Sequence, residues 1–443
     1  MQASQKEKKY VPLLLFAALL VLLSGCVSYQ LDKAQYNLRE HFTNGNYDEA
    51  AHLLQKYRKD KVYRSKDRVL MNLEAGTIEH FQGDYNTSIQ SFSSAEDEIQ
   101  TLYTKSISRA VSSLLINDNQ LSYDGEDYEN IYLNAFKCLD YIQISNINDA
   151  LVEARRIAFK LENLNIRYKG LIDALSKKDS TGLVDWKAGR TNIQNSAFGH
   201  FLSAVLYAKT DHPDDARIEA THFENAVQEQ PRYFGGIEPD ASLVRKMQDE
   251  ESFNTLLVGF SGHSPVKYQF DTRFYDAASK TYLKISLPVL RLIPSEVWRI
   301  YAVVDDTTQV NLYRIENMDE VAADVYKVKQ PVIYGRTVLR ALLKSAATHT
   351  ASHIARKKKK KLLGDIIDIA GVIIGETTEK ADLRGWQTMP GQAYVALAKL
   401  SPGKHIVRFY YIGRNGSILL TEDKILNVSG GTRLELAESL FAQ

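Results

Sequence analysis

Four carboxylates crowd one short stretch of this 443-residue chain: Asp124, Glu126, Asp127 and Glu129 stand beside Tyr123 and Tyr128, with Gly125 between them. Paired carboxylates can act as the acid and base of glycoside hydrolysis when a substrate cleft separates them suitably. They can equally serve the positive N-terminal end of the helix expected near Asn130, where negative charge is favoured. Downstream, Glu153-Ala154-Arg155-Arg156 supplies opposite charge on a partner helix. Helix capping plus a helix-pair salt bridge is the reading these residues favour. A functional alternative makes Tyr123, Asp124, Glu126, Asp127, Glu129, Arg155 and Arg156 the edge of a groove that grips a protein segment.

Other residue types with chemical potential fall short of a reaction. His349 and His353 have the i, i+4 spacing of a zinc-binding helix. The hydrolytic form of that motif needs a glutamate beside the first histidine; Thr350 stands there and no third ligand is evident, so no metal is expected. Gly259-Phe260-Ser261-Gly262-His263 resembles the hydrolase nucleophile elbow loosely, but His263 occupies the place of its second glycine. No Gly-rich phosphate loop or dinucleotide fingerprint occurs, so no cofactor is expected. Of the two cysteines, Cys138 lies in an apolar helix-like run and reads as a buried small residue.

Charge and hydrophobicity point to a membrane at two places. Lys6, Lys8 and Lys9 precede an apolar run from Val11 to Leu23, and Ser24-Gly25-Cys26 follows. That is the layout of a secretory signal, residues 1–25, and the run is short against the ~20 residues of a membrane span. Ending on Cys26, it resembles the lipobox of bacterial lipoproteins, which implies lipidation of Cys26 and a tether over 26–33. Val27 stands where related lipoproteins use aspartate for inner-membrane retention, so the resemblance implies an outer-membrane protein facing the periplasm. The second place is Lys357-Lys358-Lys359-Lys360-Lys361, followed by Leu362, Leu363, Ile366, Ile367, Ala370, Ile373 and Ile374 on one helical face. A basic cluster beside such a face can bind an anionic bilayer, although an apolar face more often packs on a core. Net charge is only +1, from 55 basic and 54 acidic residues, which argues against nucleic acid as a partner.

These segments sit on an α+β, multidomain pattern. Residues 34–235 are helical and repeat a turn: Gly45-Asn46-Tyr47, Gly83-Asp84-Tyr85, Asn146-Ile147 and Asp211-His212-Pro213 each precede a carboxylate or amide and then Ala50, Ser88, Ala150 or Ala216. The pattern resembles the tetratricopeptide repeat, a helix–turn–helix unit of ~34 residues that must stack to bury its apolar face. Residues 236–317 and 381–443 hold short β-branched and aromatic runs divided by Gly, Pro and Ser, the pattern of strands. They predict a β-rich, sandwich-like region, with residues 318–380 as a helical insertion or a helix packed across it. Two separate small β domains are the alternative.

Three phrases carry a broader resemblance: Tyr123-x-Gly125-Glu126-Asp127-x-Glu129, Ala150-Leu151-Val152-Glu153-Ala154-Arg155-Arg156 and Ala381-Asp382-Leu383-Arg384-Gly385-Trp386-Gln387-Thr388-Met389-Pro390. In order and spacing the chain resembles a family of uncharacterised bacterial tetratricopeptide lipoproteins. Many relatives have glycine at the place of Ser264. The family has no established reaction, and its members are often encoded beside lipoproteins resembling activators of penicillin-binding proteins. The resemblance implies a non-enzymatic envelope scaffold whose repeat groove binds envelope proteins. An envelope glycan hydrolase using Asp124 to Glu129, or a secretion component using Lys357 to Lys361 on the bilayer, are the alternatives.

Overall fold

Four chain reversals of one backbone shape organise the helical half of the molecule. In the computed structural model, the described residues are 30–109, 116–178, 184–193, 195–229, 239–277, 280–357, 380–431 and 433–443. The expected signal, Cys26 and Lys358–Lys361 lie outside them. Helix α1 spans 30–43, taking in the end of the expected tether, and is followed by α2 (Tyr47–Lys59), α3 (Arg68–Gln82), α4 (Tyr85–Arg109), α5 (Asp127–Gln143), α6 (Ile147–Glu162), α7 (Leu164–Arg167), α8 (Lys169–Lys178), α9 (Ala197–Ala208) and α10 (Pro213–Glu229).

The hairpins α1–α2, α3–α4, α5–α6 and α9–α10 each turn on one residue with left-handed backbone: Gly45 (φ 73°), Gly83 (φ 83°), Ser145 (φ 62°) and Asp211 (φ 59°). The amide that follows reaches back to close the turn in every case, from Asn46 to His41 (3.0 Å), Asp84 to Glu79 (2.9 Å), Asn146 to Tyr141 (2.8 Å) and His212 to Tyr207 (3.1 Å). This satisfies carbonyls that a helix end leaves without partners. Ala50, Ser88, Ala150 and Ala216 then sit fully buried near the start of each second helix. Small side chains there let the two helices approach closely.

The β half does not form two packed sheets. Strands β1 (Thr255–Ser261), β4 (Val297–Val304), β5 (Thr308–Asn317), β6 (Gln392–Ala398), β7 (Gly403–Gly413), β8 (Ile418–Val428) and β9 (Glu435–Phe441) make one seven-stranded sheet in the order β8-β7-β4-β5-β6-β1-β9. Only β1 and β9 run parallel. The sandwich expectation is corrected by curvature: Leu257, Ile300, Leu312, Tyr394, Phe409, Leu426 and Ala437, one or more from every strand, share a single apolar core inside the sheet. The other face of β1 turns Leu256, Val258 and Phe260 towards the helices. Burial on both faces explains its unbroken apolar run. Gly259 is needed where the curl brings Ile300 close, since a Cβ there would lie 2.9 Å from the Ile300 side chain. The elbow-like glycine is thus a packing residue.

Strands β2 (Val266–Asp276) and β3 (Thr281–Arg291) pair separately as a ribbon. A short helix, α11 (Ala241–Lys246), precedes β1 in a region expected to be strand, capped by Asp240, which accepts from Ser242 (2.8 Å) and Leu243 (3.1 Å). Helix α12 (Met318–Lys357) lies along the ribbon, where Tyr326 and Tyr334 both donate to the Pro288 carbonyl at 3.2 Å. Among the described residues no helix is long and apolar enough to cross a membrane.

Candidate functional site

The acidic loop faces inward. Tyr123, Glu126, Asp127 and Glu129 are buried, and only Asp124 is partly exposed. Glu129 closes the start of α5, accepting from the Glu126 amide (2.9 Å), as helix capping requires. It also accepts from the Tyr123 hydroxyl (2.7 Å) and the Trp386 amide (2.7 Å). Burial first, then the neighbouring Glu126, pushes its carboxyl up to about 7. Glu126 pairs with Lys267 on the ribbon (2.6 Å) and Lys329 on α12 (3.4 Å). Lys329 also meets Asp124 (3.2 Å), while Asp127 meets Arg167 (3.2 Å) and Tyr168 (2.5 Å).

The second partner of this loop is the strap Ala381–Pro390. Its Arg384 is buried between Asp382 (2.6 Å) and Asp67 (2.9 Å) and stacks over the Tyr123 ring. Burial raises the Asp382 pKa, but Arg384 outweighs it and holds the carboxyl well below the usual carboxylate range. Trp386 enters between Phe92 and Phe136, its ring centre 5.6 Å from each, and donates to Thr77 (2.7 Å). Two of the three phrases that carry the family resemblance therefore meet in space.

The third does not join them. Arg155 and Arg156 are exposed on α6, and Arg156 pairs with Glu96 (3.3 Å) and Glu153 (3.1 Å). The helix-pair bridge of the sequence reading exists there, not at the acidic loop. Burial raises the Glu96 pKa, yet Lys160 and Lys137 prevail and hold it down to about 2.

A cavity of about 170 Å³ lies where loop, ribbon, α12 and strap converge, lined by Tyr123, Glu126, Lys267, Lys329, Arg336 and Asp382 among others. Its carboxylates are already held by cations of the same chain. The arrangement is an ion-pair latch joining four elements. Of the residues expected at a groove edge, Tyr123, Glu126, Asp127 and Glu129 are engaged inside the fold, whereas Arg155 and Arg156 stand exposed on α6.

No protein-family model, curated protein or solved structure matches the chain.

The sequence reading passes over one charged cluster entirely. His80 on α3 lies 2.7 Å from Asp140 on α5 and 3.3 Å from Glu438 on β9. Burial lowers the His80 pKa, but Glu438 and Asp140 outweigh it and push it up to about 10. Ser88 donates to Asp140 at 2.6 Å. The serine is thus on the carboxylate and not on the imidazole, so the order needed for nucleophile activation is absent. No local motif marks this cluster, since its members come from three separated elements.

Cys138 is buried, and burial drives its thiol pKa well up, as a packing residue requires. The side chains of His349 and His353 lie outside the described atoms, and Lys357 is only the end of α12. Among the described residues no acid, histidine or cysteine group is arranged to hold a metal ion.

Proposed function

We propose that the chain is a lipid-anchored, non-enzymatic scaffold of the cell envelope, held at the outer membrane through Cys26 and built on tetratricopeptide-like hairpins. The four matching turns support the repeat reading. The lipobox-like Leu23-Ser24-Gly25-Cys26 supports the anchor and the periplasmic setting. The observation that carries the scaffold reading is the use made of the inner helical face. Phe260 of β1 packs against Phe81, Phe136 and Phe198, and Trp386 packs against Phe92 and Phe136. The face on which a partner segment was expected to lie is filled by the chain's own sheet and strap.

Partner contact then moves to the outer helices. Val152 (45% exposed) and Phe159 (64%) share a face of α6 with Arg155, and Ile218 (51%) is exposed on α10. Apolar anchors beside an arginine suit a protein interface. A hydrolase built on Asp124 to Glu129 has less support, since those carboxylates are engaged from within.

Crosslinking in cells, with crosslinked peptides read by mass spectrometry, tests this. Crosslinks from α6 and α10 to an envelope protein are expected, and Phe159→Asp should abolish them without lowering the melting temperature. Crosslinks confined to the region near the lipid, or unchanged in Phe159→Asp, would remove the outer face from consideration.

A further inference from the structure

The two edges of the β2–β3 ribbon differ. Pro288 has no N–H, so in its pair with Gln269 both residues point their main-chain groups away from each other. The Pro288 carbonyl accordingly faces outward, to the hydroxyls of Tyr326 and Tyr334, which places α12 along the β3 edge. By the same two-residue period, Gln269, Asp271, Arg273 and Tyr275 aim their amides and carbonyls out of the β2 edge. Among the described residues β3 is the only strand paired with β2, and no backbone group bonds to that outer row.

An open strand edge is a template for another strand, and native edges are commonly guarded by proline, a bulge or shortness. Strand β2 has eleven residues, no proline and no shift of register. Its base is tied to the body: Lys267 meets Glu126, and the Gln269 side chain accepts from the Ala381 amide at 3.0 Å. Beyond that point it stands out. Phe270 is 50% exposed, and Asp271, Arg273 and Tyr275 are exposed as well.

The side chains select the strand that fits. Arg273 lies directly opposite Lys284, a like-charge pair that is unfavourable across strands, and Lys284 leans to Asp271 at 3.2 Å. An antiparallel second β2 centred on Thr272 sets each Arg273 opposite the Asp271 of the other copy, twice by symmetry. On the reverse face it sets Phe270 opposite Phe274, again twice, and Thr272 opposite itself. Opposite charges, aromatic pairs and threonine pairs all stabilise facing strands. Neighbouring registers lose this. Centring on Asp271 or Arg273 puts that charge against its own copy, and centring on Phe270 puts Lys267 against Arg273. The backbone agrees too, since Asp271 and Arg273 both direct their amides and carbonyls towards the new ladder.

We propose that the protein forms a two-fold dimer by pairing β2 with the β2 of a second copy, in the register centred on Thr272. The product is a four-stranded ribbon with an α12 along each outer edge, so the assembly closes at two copies. This stands independently of the scaffold reading.

Sedimentation of the full chain in density-matched detergent, with oxidative crosslinking of cysteine variants, tests it. The chain should sediment as a dimer. Arg273→Asp should raise the dimer dissociation constant about tenfold or more, because like charges then face each other twice. The double variant Asp271→Arg with Arg273→Asp should restore dimers, a rescue that a local role for either residue would not give. Thr272→Cys should form a disulfide-linked dimer, since its two copies meet in a pair with Cα atoms ~4.5 Å apart. Asp271→Cys, offset from its own copy, should form far less. The proposal is overturned if the chain is monomeric at about 100 μM, if the two cysteine variants crosslink alike, if the charge swap fails to restore dimers, or if Thr272→Cys links only to a different protein.

Discussion

Burying an imidazolium between two carboxylates ties its proton to the folded state. A group whose folded pKa lies above its unfolded value contributes stability that is complete below the unfolded value and lost as pH climbs through the folded one. For His80 that window runs from 6.5 to about 10. Glu129 has the same sign between 4.5 and about 7, with burial the main cause, and burial gives Glu74 and Glu316 the same window. Glu96 acts oppositely, but its contribution is lost only below 4.5, outside this range. Burial holds His263 down to about 4 and Lys160 down to about 8, and both oppose this trend in their own windows, so the melting temperature should decline between pH 6.5 and 8, where neither titrates. His80→Gln should remove the alkaline part of that decline while keeping the acid part. It should also cost about 3–5 kcal/mol, since Asp140 and Glu438 lose a buried counter-charge. Thermal unfolding followed across pH checks both; a wild-type melting temperature that holds level between pH 7 and 8 would show that His80 carries no charge in the fold.

Among elements, α12 shows how one residue type creates a need elsewhere. Pro331 has no N–H, so the Lys327 carbonyl one turn earlier loses its helical donor. The extended segment before α9 lies against that turn: the Gly189 amide donates to the next carbonyl, Val328, at 3.0 Å, and a Cβ on Gly189 would fall 1.8 Å from the Lys327 oxygen. No rotamer relieves a backbone clash. Gly189→Ala should destabilise by roughly 3 kcal/mol or more, through overpacking against backbone. Gly430→Ala, with nothing within 4 Å of the new Cβ, should be close to neutral. Denaturant unfolding of both variants would decide it, and equal midpoints would disprove the close approach.

Elements of this kind divide sharply by how much a sequence reveals. The four hairpin turns were legible at Gly45, Gly83, Asn146 and Asp211, because turn chemistry is local. Strands β1, β4, β7 and β8 were legible through their β-branched and aromatic runs. Strand β5 escaped because the alternation of Gln309-Val310-Asn311-Leu312 is short and Arg314 falls where the next apolar residue should stand. The meeting of Glu129 with Trp386, and of His80 with Glu438, was hidden for a different reason. Each pair joins residues far apart in the chain, and either partner alone looks like an ordinary helix, strap or strand residue.

At the scale of the molecule, the helical hairpins and the sheet are one cooperative body. Free-standing tetratricopeptide arrays contact only neighbouring units, so fragments of them can fold alone. Here α5 and α9 are buried along their lengths, and their apolar residues belong to the same core as Phe260, Leu436 and Trp386. Removing residues beyond 246 would expose that inner face and leave Glu129 without Trp386 and His80 without Glu438. Residues 30–246 expressed alone should therefore be molten, with helical far-ultraviolet dichroism but no cooperative thermal transition. The full chain should unfold in a single transition, with calorimetric and van't Hoff enthalpies in agreement. A native-like, sharply melting 30–246 fragment would mean that the hairpins are self-sufficient and their inner face can be vacated. The strap would then be a displaceable occupant, and the inner face would return as a surface for partners. A molten fragment leaves the outer face of α6 and α10 as the helical surface open to a partner.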